Sequence, residues 1–182
     1  MLLIFGLGNF GKEYDSTYHN MGFMCLDRFL EKHGLTLNKT KNFGQFCETN
    51  IDGEKVIFVK PLTYMNNSGT CVKAFVNKFK VSSDDILIIY DDFDLPIGEV
   101  RFRTKGTSGT HNGMRDIVKM LNTEDFKRLR IGIKDENNKT PLINYVLSKC
   151  KKQDFDKVFE KTTLFLEDFI SKNGKVENVS LW

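Results

Sequence analysis

The order of apolar periods along the chain predicts an α/β fold: a single-domain sandwich over residues 1–182, with a mixed, mostly parallel central sheet flanked by helices. Three observations carry this. Strand-like apolar runs alternate with stretches of helical period. One run, Asp85 to Tyr90, is apolar almost throughout, as expected of a strand buried on both faces. Asp52-Gly53 joins two further strand-like stretches as a hairpin, so part of the sheet is antiparallel. A length of 182 residues suits one domain, and a hydrophobic fraction of 40% that includes 16 phenylalanines supplies its core.

Residues 2–7 read as a buried strand interrupted by Gly6 and Gly8. From Gly22 to His33 the apolar positions Phe23, Leu26, Phe29 and Leu30 fall on one helical face, and Gly34 ends the helix. Phe43 to Ile51 and Lys55 to Lys60 are the two arms of the hairpin. Asn and Ser residues after Pro61 are candidate caps for a helix from Gly69 to Lys80. The strand that closes at Tyr90 runs into Asp91, Asp92 and Asp94, which places a carboxylate cluster at a strand's carboxyl end. Glu99 to Thr104 is a strand, Gly113 to Leu121 a helix, and Lys127 to Lys134 a strand with Leu129, Ile131 and Ile133 alternating. Pro141 to Lys172 reads as mostly helical. Repeats, low-complexity tracts and linkers are not visible in the sequence.

The formal net charge of +3 permits an anionic partner without requiring one. Its distribution is more informative, because Arg101, Arg103 and Lys105 alternate along one expected strand while Lys127, Arg128 and Arg130 crowd another. Solvated strand faces explain this pattern as well as an anion site does. The four cysteines, Cys25, Cys47, Cys71 and Cys150, are widely spaced and suggest neither a disulfide framework nor a metal motif. With no signal-peptide pattern at Met1 and no apolar run of membrane length, a cytoplasmic location is expected.

Two stretches each set a histidine beside an asparagine and surround the pair with glycine: Gly6 to Gly11 leading to His19-Asn20, and Gly106 to Gly113 holding His111-Asn112. Gly6-x-Gly8-x-x-Gly11 matches a dinucleotide-binding fingerprint, yet Lys12 to Tyr18 separates its last glycine from the helix and carries Glu13 and Asp15. A phosphate therefore has no helix N-terminus to meet. The Asp91, Asp92, Asp94 cluster could hold a hard divalent cation for phosphodiester cleavage, although such turns are also Asp-rich for structural reasons. A nucleophile elbow is missing, and each cysteine lacks an adjacent histidine. What remains is a histidine able to act as general base on water, an aspartate able to orient it, and amides able to cradle an oxyanion. That set suits hydrolysis of an activated acyl bond such as an ester. Each member also has a plainer reading: Asn9 and Asn20 as turn residues, His19 as a loop histidine, Asn112 as an N-cap, Met65 as core filler.

Taken together, these segments resemble the bacterial-type peptidyl-tRNA hydrolases. The match runs through Gly6-Leu7-Gly8-Asn9-x-Gly11, Tyr14-x-x-Thr17-x-His19-Asn20-x-Gly22 and Pro61-x-Thr63-Tyr64-Met65-Asn66-x-Ser68-Gly69. It continues in Tyr90-Asp91-Asp92-x-Asp94-Leu95-Pro96-x-Gly98, His111-Asn112-Gly113 and Arg128-Leu129-Arg130-Ile131-Gly132, collinear from residue 4 to about 147. The resemblance implies hydrolysis of the ester joining a peptide to the 3′ ribose of tRNA, by a monomer that needs no metal, no organic cofactor, no membrane and no obligate protein partner. It implies that His19 is the base, that Asp91 orients it, and that Asn9 distinguishes N-blocked from free aminoacyl-tRNA. Asn66 and Asn112 then hold the peptide backbone, the ester region and the water. Tyr14, Asn20, Tyr64 and Met65 belong to the same substrate cleft, and Arg103 and Arg130 grip the 5′ phosphate of the acceptor stem, leaving the 3′ CCA end at the histidine. The chain departs from the family's usual pattern at Phe10, Tyr18, Tyr90 and Thr110. Tyr18 stands where arginine is common, so weaker RNA contact is expected there, and a short C-terminal region ends at Trp182.

Overall fold

A computed structural model describes residues 1–181; Trp182, the end of the expected domain, lies outside the described residues. One eight-stranded sheet organises them. In chain order the elements are β1 (Leu2–Gly6), α1 (Met21–Lys32), β2 (Lys39–Lys41), β3 (Gly44–Ile51), β4 (Glu54–Pro61), α2 (Ser68–Phe79) and β5 (Ile86–Pro96). They continue with β6 (Val100–Arg103), α3 (Asn112–Leu121), β7 (Lys127–Lys134), α4 (Leu142–Val146), α5 (Asp156–Ser171) and β8 (Val179–Leu181).

The sheet order is β2-β3-β4-β1-β5-β7-β6-β8. The sheet is mixed, as the sequence predicts, but parallel pairing is confined to its centre. β1 runs parallel to β4 and β5, and β5 to β7, whereas the four outer pairings are antiparallel. Antiparallel pairings therefore outnumber parallel ones, contrary to expectation. The cause is local: a two-residue hairpin turns β3 back as β4, and the short link after β5 sends β6 antiparallel to β7, which slots between β5 and β6. At the hairpin both Asp52 (φ 51) and Gly53 (φ 82) take the left-handed conformations that a tight β-turn of this kind needs.

Alternation along the central strands feeds two cores. Leu2 and Ile4 of β1, with Leu87 and Ile89 of β5, pack under α1 and α5; Leu3 and Phe5, with Ile86 and Ile88, pack under α2 and α3. Burial on both faces explains why these strands read as nearly continuous apolar runs. The edge strands β2 and β8 are not visible in the sequence, because a three-residue strand such as Lys39-Thr40-Lys41, with all three residues exposed, carries no apolar period.

Two close contacts set the helices against the sheet and against each other. Gly6 faces Gly22 so closely that a Cβ on either would strike backbone: the Gly22 carbonyl in one case, Leu7 and the Ile89 carbonyl in the other. The start of α1 thus rests directly on the carboxyl ends of β1 and β5, tied there by Phe23 N–H donating to the Leu7 carbonyl (3.0 Å) and Leu7 N–H to the Ile89 carbonyl (2.9 Å). At the other face, contrary to expectation, no Asn or Ser side chain caps α2. Instead Asp116 of α3 accepts from the Gly69 N–H at 2.7 Å, which locks the two helices together.

Candidate active site

A cleft of about 780 Å³ opens at the carboxyl ends of the central strands, where ligand sites of such sheets lie. It is lined by Asn9, Tyr14, His19, Tyr64, Met65, Asn66, Asp91, Arg103, Asn112 and Arg130, so ten of the eleven expected site residues meet in one place. Asn20 is the exception. It is buried behind the cleft, where its carboxamide accepts from the Asn9 N–H and donates to the Asn9 carbonyl, so it holds Asn9 rather than touching the cavity.

His19 sits in a one-turn 3-10 segment, Tyr18–Asn20, that feeds straight into α1. Its Nδ1 lies 2.9 Å from Asp91 Oδ2 and 3.1 Å from Oδ1. With Nδ1 bound there, Nε2 is the nitrogen left for a ligand. Asp91 is not in a loop after its strand, as expected from the sequence, but within β5, which runs on past it to Pro96. Its carboxylate is 2% exposed and accepts a second imidazole, Nε2 of His111, at 3.0 Å. His111 in turn accepts the Met114 N–H at Nδ1 (3.1 Å), which caps α3 and fixes its tautomer as an Nε2–H donor toward Asp91. Because His111 rather than Asn112 is the cap, the exposed Asn112 is released to the cleft. The sequence marks the His111-Asn112 pair but assigns His111 no role. Its signal is a histidine inside a glycine-rich loop, and only the fold shows that the loop reaches Asp91.

Burial on its own would raise the Asp91 carboxyl; the charges and hydrogen bonds of His19 and His111 outweigh it and hold that carboxyl well below the usual carboxylate range. For His19 burial works to lower the pKa, and the charge and hydrogen bond of Asp91 override it, so the imidazole lies above its ordinary value. The result is a basic imidazole with an anionic partner that stays ionised.

Asn9 is equally constrained. Its Oδ1 accepts the Met65 N–H at 2.7 Å, so Nδ2 is the edge it offers. Tyr64, which precedes Met65, adopts φ 57 and ψ 161, a region that non-glycine residues seldom occupy. This bend leaves its half-exposed ring edge-on to Tyr14 at 6.1 Å.

At the other end of the cleft, β6 and β7 pair Arg101 with Arg130 and Arg103 with Arg128. Burial and the neighbouring guanidiniums of Arg101 and Arg130 lower the pKa of Arg103, while Arg101 is paired with Glu99 and Arg130 with Asp92. Arg128 is 1% exposed and donates to the Thr107 and Glu124 carbonyls (2.9 and 2.8 Å), pinning the loop that leads to His111. Tyr18, expected near RNA, turns inward and stacks on Tyr145 instead.

The Asp91, Asp92, Asp94 cluster does not converge. Asp92 accepts Arg130 Nε at 2.7 Å and the Asp94 N–H at 2.9 Å, while Asp91 faces the histidines. Among the described residues the group whose donor atoms come near enough to hold a metal ion is His19, Asp91 and His111. Their facing atoms lie 2.9–3.1 Å from one another, the spacing of hydrogen bonds. Among the described residues no helix is long and apolar enough to cross a membrane.

Comparison with known proteins identifies a family. A family model described as peptidyl-tRNA hydrolase matches residues 3–180. A peptidyl-tRNA hydrolase of Lactobacillus acidophilus is 47% identical over 174 residues, 94% of each chain, and one of Lactobacillus johnsonii is 46% identical over 179 residues, 96% of each. A crystal structure of peptidyl-tRNA hydrolase from Acinetobacter baumannii superposes with a TM-score of 0.82 at 35% identity, covering 95% of this chain and 92% of that one.

Proposed function

The chain belongs to the peptidyl-tRNA hydrolase family and hydrolyses peptidyl-tRNA; from that premise we propose that His19 Nε2 is the general base that activates water against the ester. Asp91 accepts a hydrogen bond from His19 Nδ1–H, keeps the ring in one orientation, and balances the imidazolium that forms when the water proton is taken. His111 donates to the other side of the same carboxylate and so keeps it aimed. Asn66 and Asn112, exposed in the cleft, are assigned to the ester carbonyl as it becomes an oxyanion and to the peptide backbone.

Asn9 offers Nδ2, a donor, because Met65 holds its oxygen. A donor meets a peptide carbonyl well and gains nothing from an ammonium, which accounts for preference for N-blocked substrate. Tyr14, Tyr64 and Met65 wall the peptide end, and Arg103 and Arg130 are assigned to the 5′ phosphate, with the 3′ CCA end between them and His19. The enzyme is read as a cytoplasmic monomer with no resident cofactor and no obligate partner; of these, its four free, buried cysteines bear only on the compartment, which they suit if it is reducing.

The observation that carries the proposal is the 2.9 Å contact between His19 and the buried carboxyl group of Asp91 inside a carboxamide-lined cleft. Release of tRNA from N-acetylated and free aminoacyl-tRNA, with and without EDTA, tests it. Wild type cleaves only the blocked substrate, EDTA has no effect, and His19→Ala is inactive. Release by His19→Ala, or its loss with EDTA, overturns the assignment.

A further inference from the structure

α4 presents Leu142, Ile143 and Val146 to the cleft, and its single buried side chain, Tyr145, points the other way. The Tyr145 ring stacks on Tyr18, with centroids 4.4 Å apart and planes 18° from parallel. Its hydroxyl donates to the Ile133 carbonyl of β7 at 2.7 Å, and its ring meets Phe93 at 5.6 Å. Tyr18 immediately precedes His19, and Phe93 lies two residues beyond Asp91 on the same strand.

Backbone contacts reinforce the join. Tyr18 N–H donates to the Ser148 carbonyl (3.2 Å), Cys150 N–H to the Ser16 carbonyl (2.8 Å), and Thr17 bridges Lys149 in antiparallel fashion. Phe155 closes the far side of Tyr18 at 6.0 Å. The apolar wall of the cleft is thus fastened to the residues beside both members of the His19–Asp91 pair. Neither Tyr18 nor Tyr145 lines the cleft itself.

We propose that Tyr18 and Tyr145 are a positioning pair that couples α4 to His19, so that substrate seated against Leu142, Ile143 and Val146 fixes the imidazole against Asp91. A stacked pair resists sliding and tilting, which suits it to transmit the placement of a five-residue helix to its neighbour. The proposal rests on His19 being the base.

Steady-state kinetics on N-acetylaminoacyl-tRNA over a pH series, at a temperature where circular dichroism shows each protein folded, tests it. Tyr18→Leu lowers kcat roughly ten- to hundredfold, as misplacement of a reacting group does, and leaves KM nearly unchanged. It also moves the acid limb of kcat/KM to lower pH, because the grip of Asp91 on His19 loosens. Tyr18→Phe, which keeps the ring, restores both. Tyr145→Phe, which keeps both rings and removes the bond to Ile133, shifts the limb the same way by less, and it decides the question if Tyr18→Leu does not fold. Parental kcat and an unmoved limb, with only the melting temperature lowered, overturn the proposal. His19→Ala runs alongside: its activity would remove the underlying assignment, whereas an inactive His19→Ala with parental tyrosine variants defeats the coupling alone.

Discussion

Asn20 grips the backbone of Asn9 with both ends of its carboxamide, accepting the Asn9 N–H at 2.7 Å and donating to the Asn9 carbonyl at 3.0 Å. Asn9 in turn spends its own Oδ1 on Met65, so the edge it shows the cleft is set from two sides. A residue set behind the cleft therefore governs one that lines it.

Replacing Asn20 by Ala leaves the buried Asn9 N–H and carbonyl without partners, a loss of about 1–3 kcal/mol. Denaturant unfolding is expected to show that loss, and discrimination between N-acetylated and free aminoacyl-tRNA narrows as Asn9 swings. Unchanged discrimination in a destabilised Asn20→Ala protein would separate the two effects and count against the clamp.

The turn that carries His19 runs into the start of α1, which touches backbone at Gly22, where no side chain fits. Gly22→Ala forces that contact open, with a cost of about 1–3 kcal/mol as for other overpacked sites. Chemical denaturation measures it, and kcat falls with it because the His19 turn is lifted from β5. Parental stability would mean that the glycine contact is not needed.

The proposed phosphate contacts on the acceptor stem predict affinity that falls with salt. Arg103→Gln raises KM with little change in kcat and reduces the slope of log affinity against log salt by about 1, the change expected for one phosphate contact. Identical slopes for the two proteins would remove Arg103 from the tRNA surface.

Stability depends on pH through His19 with a definite sign. Burial lowers its folded pKa, the Asp91 charge and hydrogen bond raise it more, and the net position lies above the ordinary value of about 6.5. A raised folded pKa gives a contribution complete below about 6.5 and lost as pH climbs through the folded value. The stability advantage of wild type over His19→Gln in urea therefore shrinks as pH rises above that point. An advantage constant across the range contradicts the shift.

Much of the fold and the site is legible in the residues alone. The central strands declare themselves because both of their faces are buried; His19, Asn9 and Asp91 each keep a plainer loop or turn reading, and it is the family resemblance that groups them as site candidates. What stays hidden depends on long-range contact. Periodicity ends β5 at Tyr90 because the run turns polar there, yet pairing with β7 carries the strand through Asp91 and Asp92. Asn20 and Asn9 look alike as loop amides and both are buried; only the fold shows that Asn9 lines the cleft and that Asn20 holds Asn9 from behind. The role of His111 requires knowing which loop reaches Asp91, and the place of Tyr18 is set by Tyr145 stacked against it from a helix far along the chain.

The pH–rate profile of Asp91→Asn tests the pairing at the centre of the mechanism most directly. In wild type, kcat/KM is predicted to fall on the acid side as His19 takes up its proton. Replacing the carboxylate by an amide is predicted to lower kcat by roughly 10²–10⁴, as loss of an orienting or oxyanion-stabilising group does, and to carry the acid limb to lower pH. A variant that keeps wild-type rates and the wild-type limb would show that Asp91 does not govern His19.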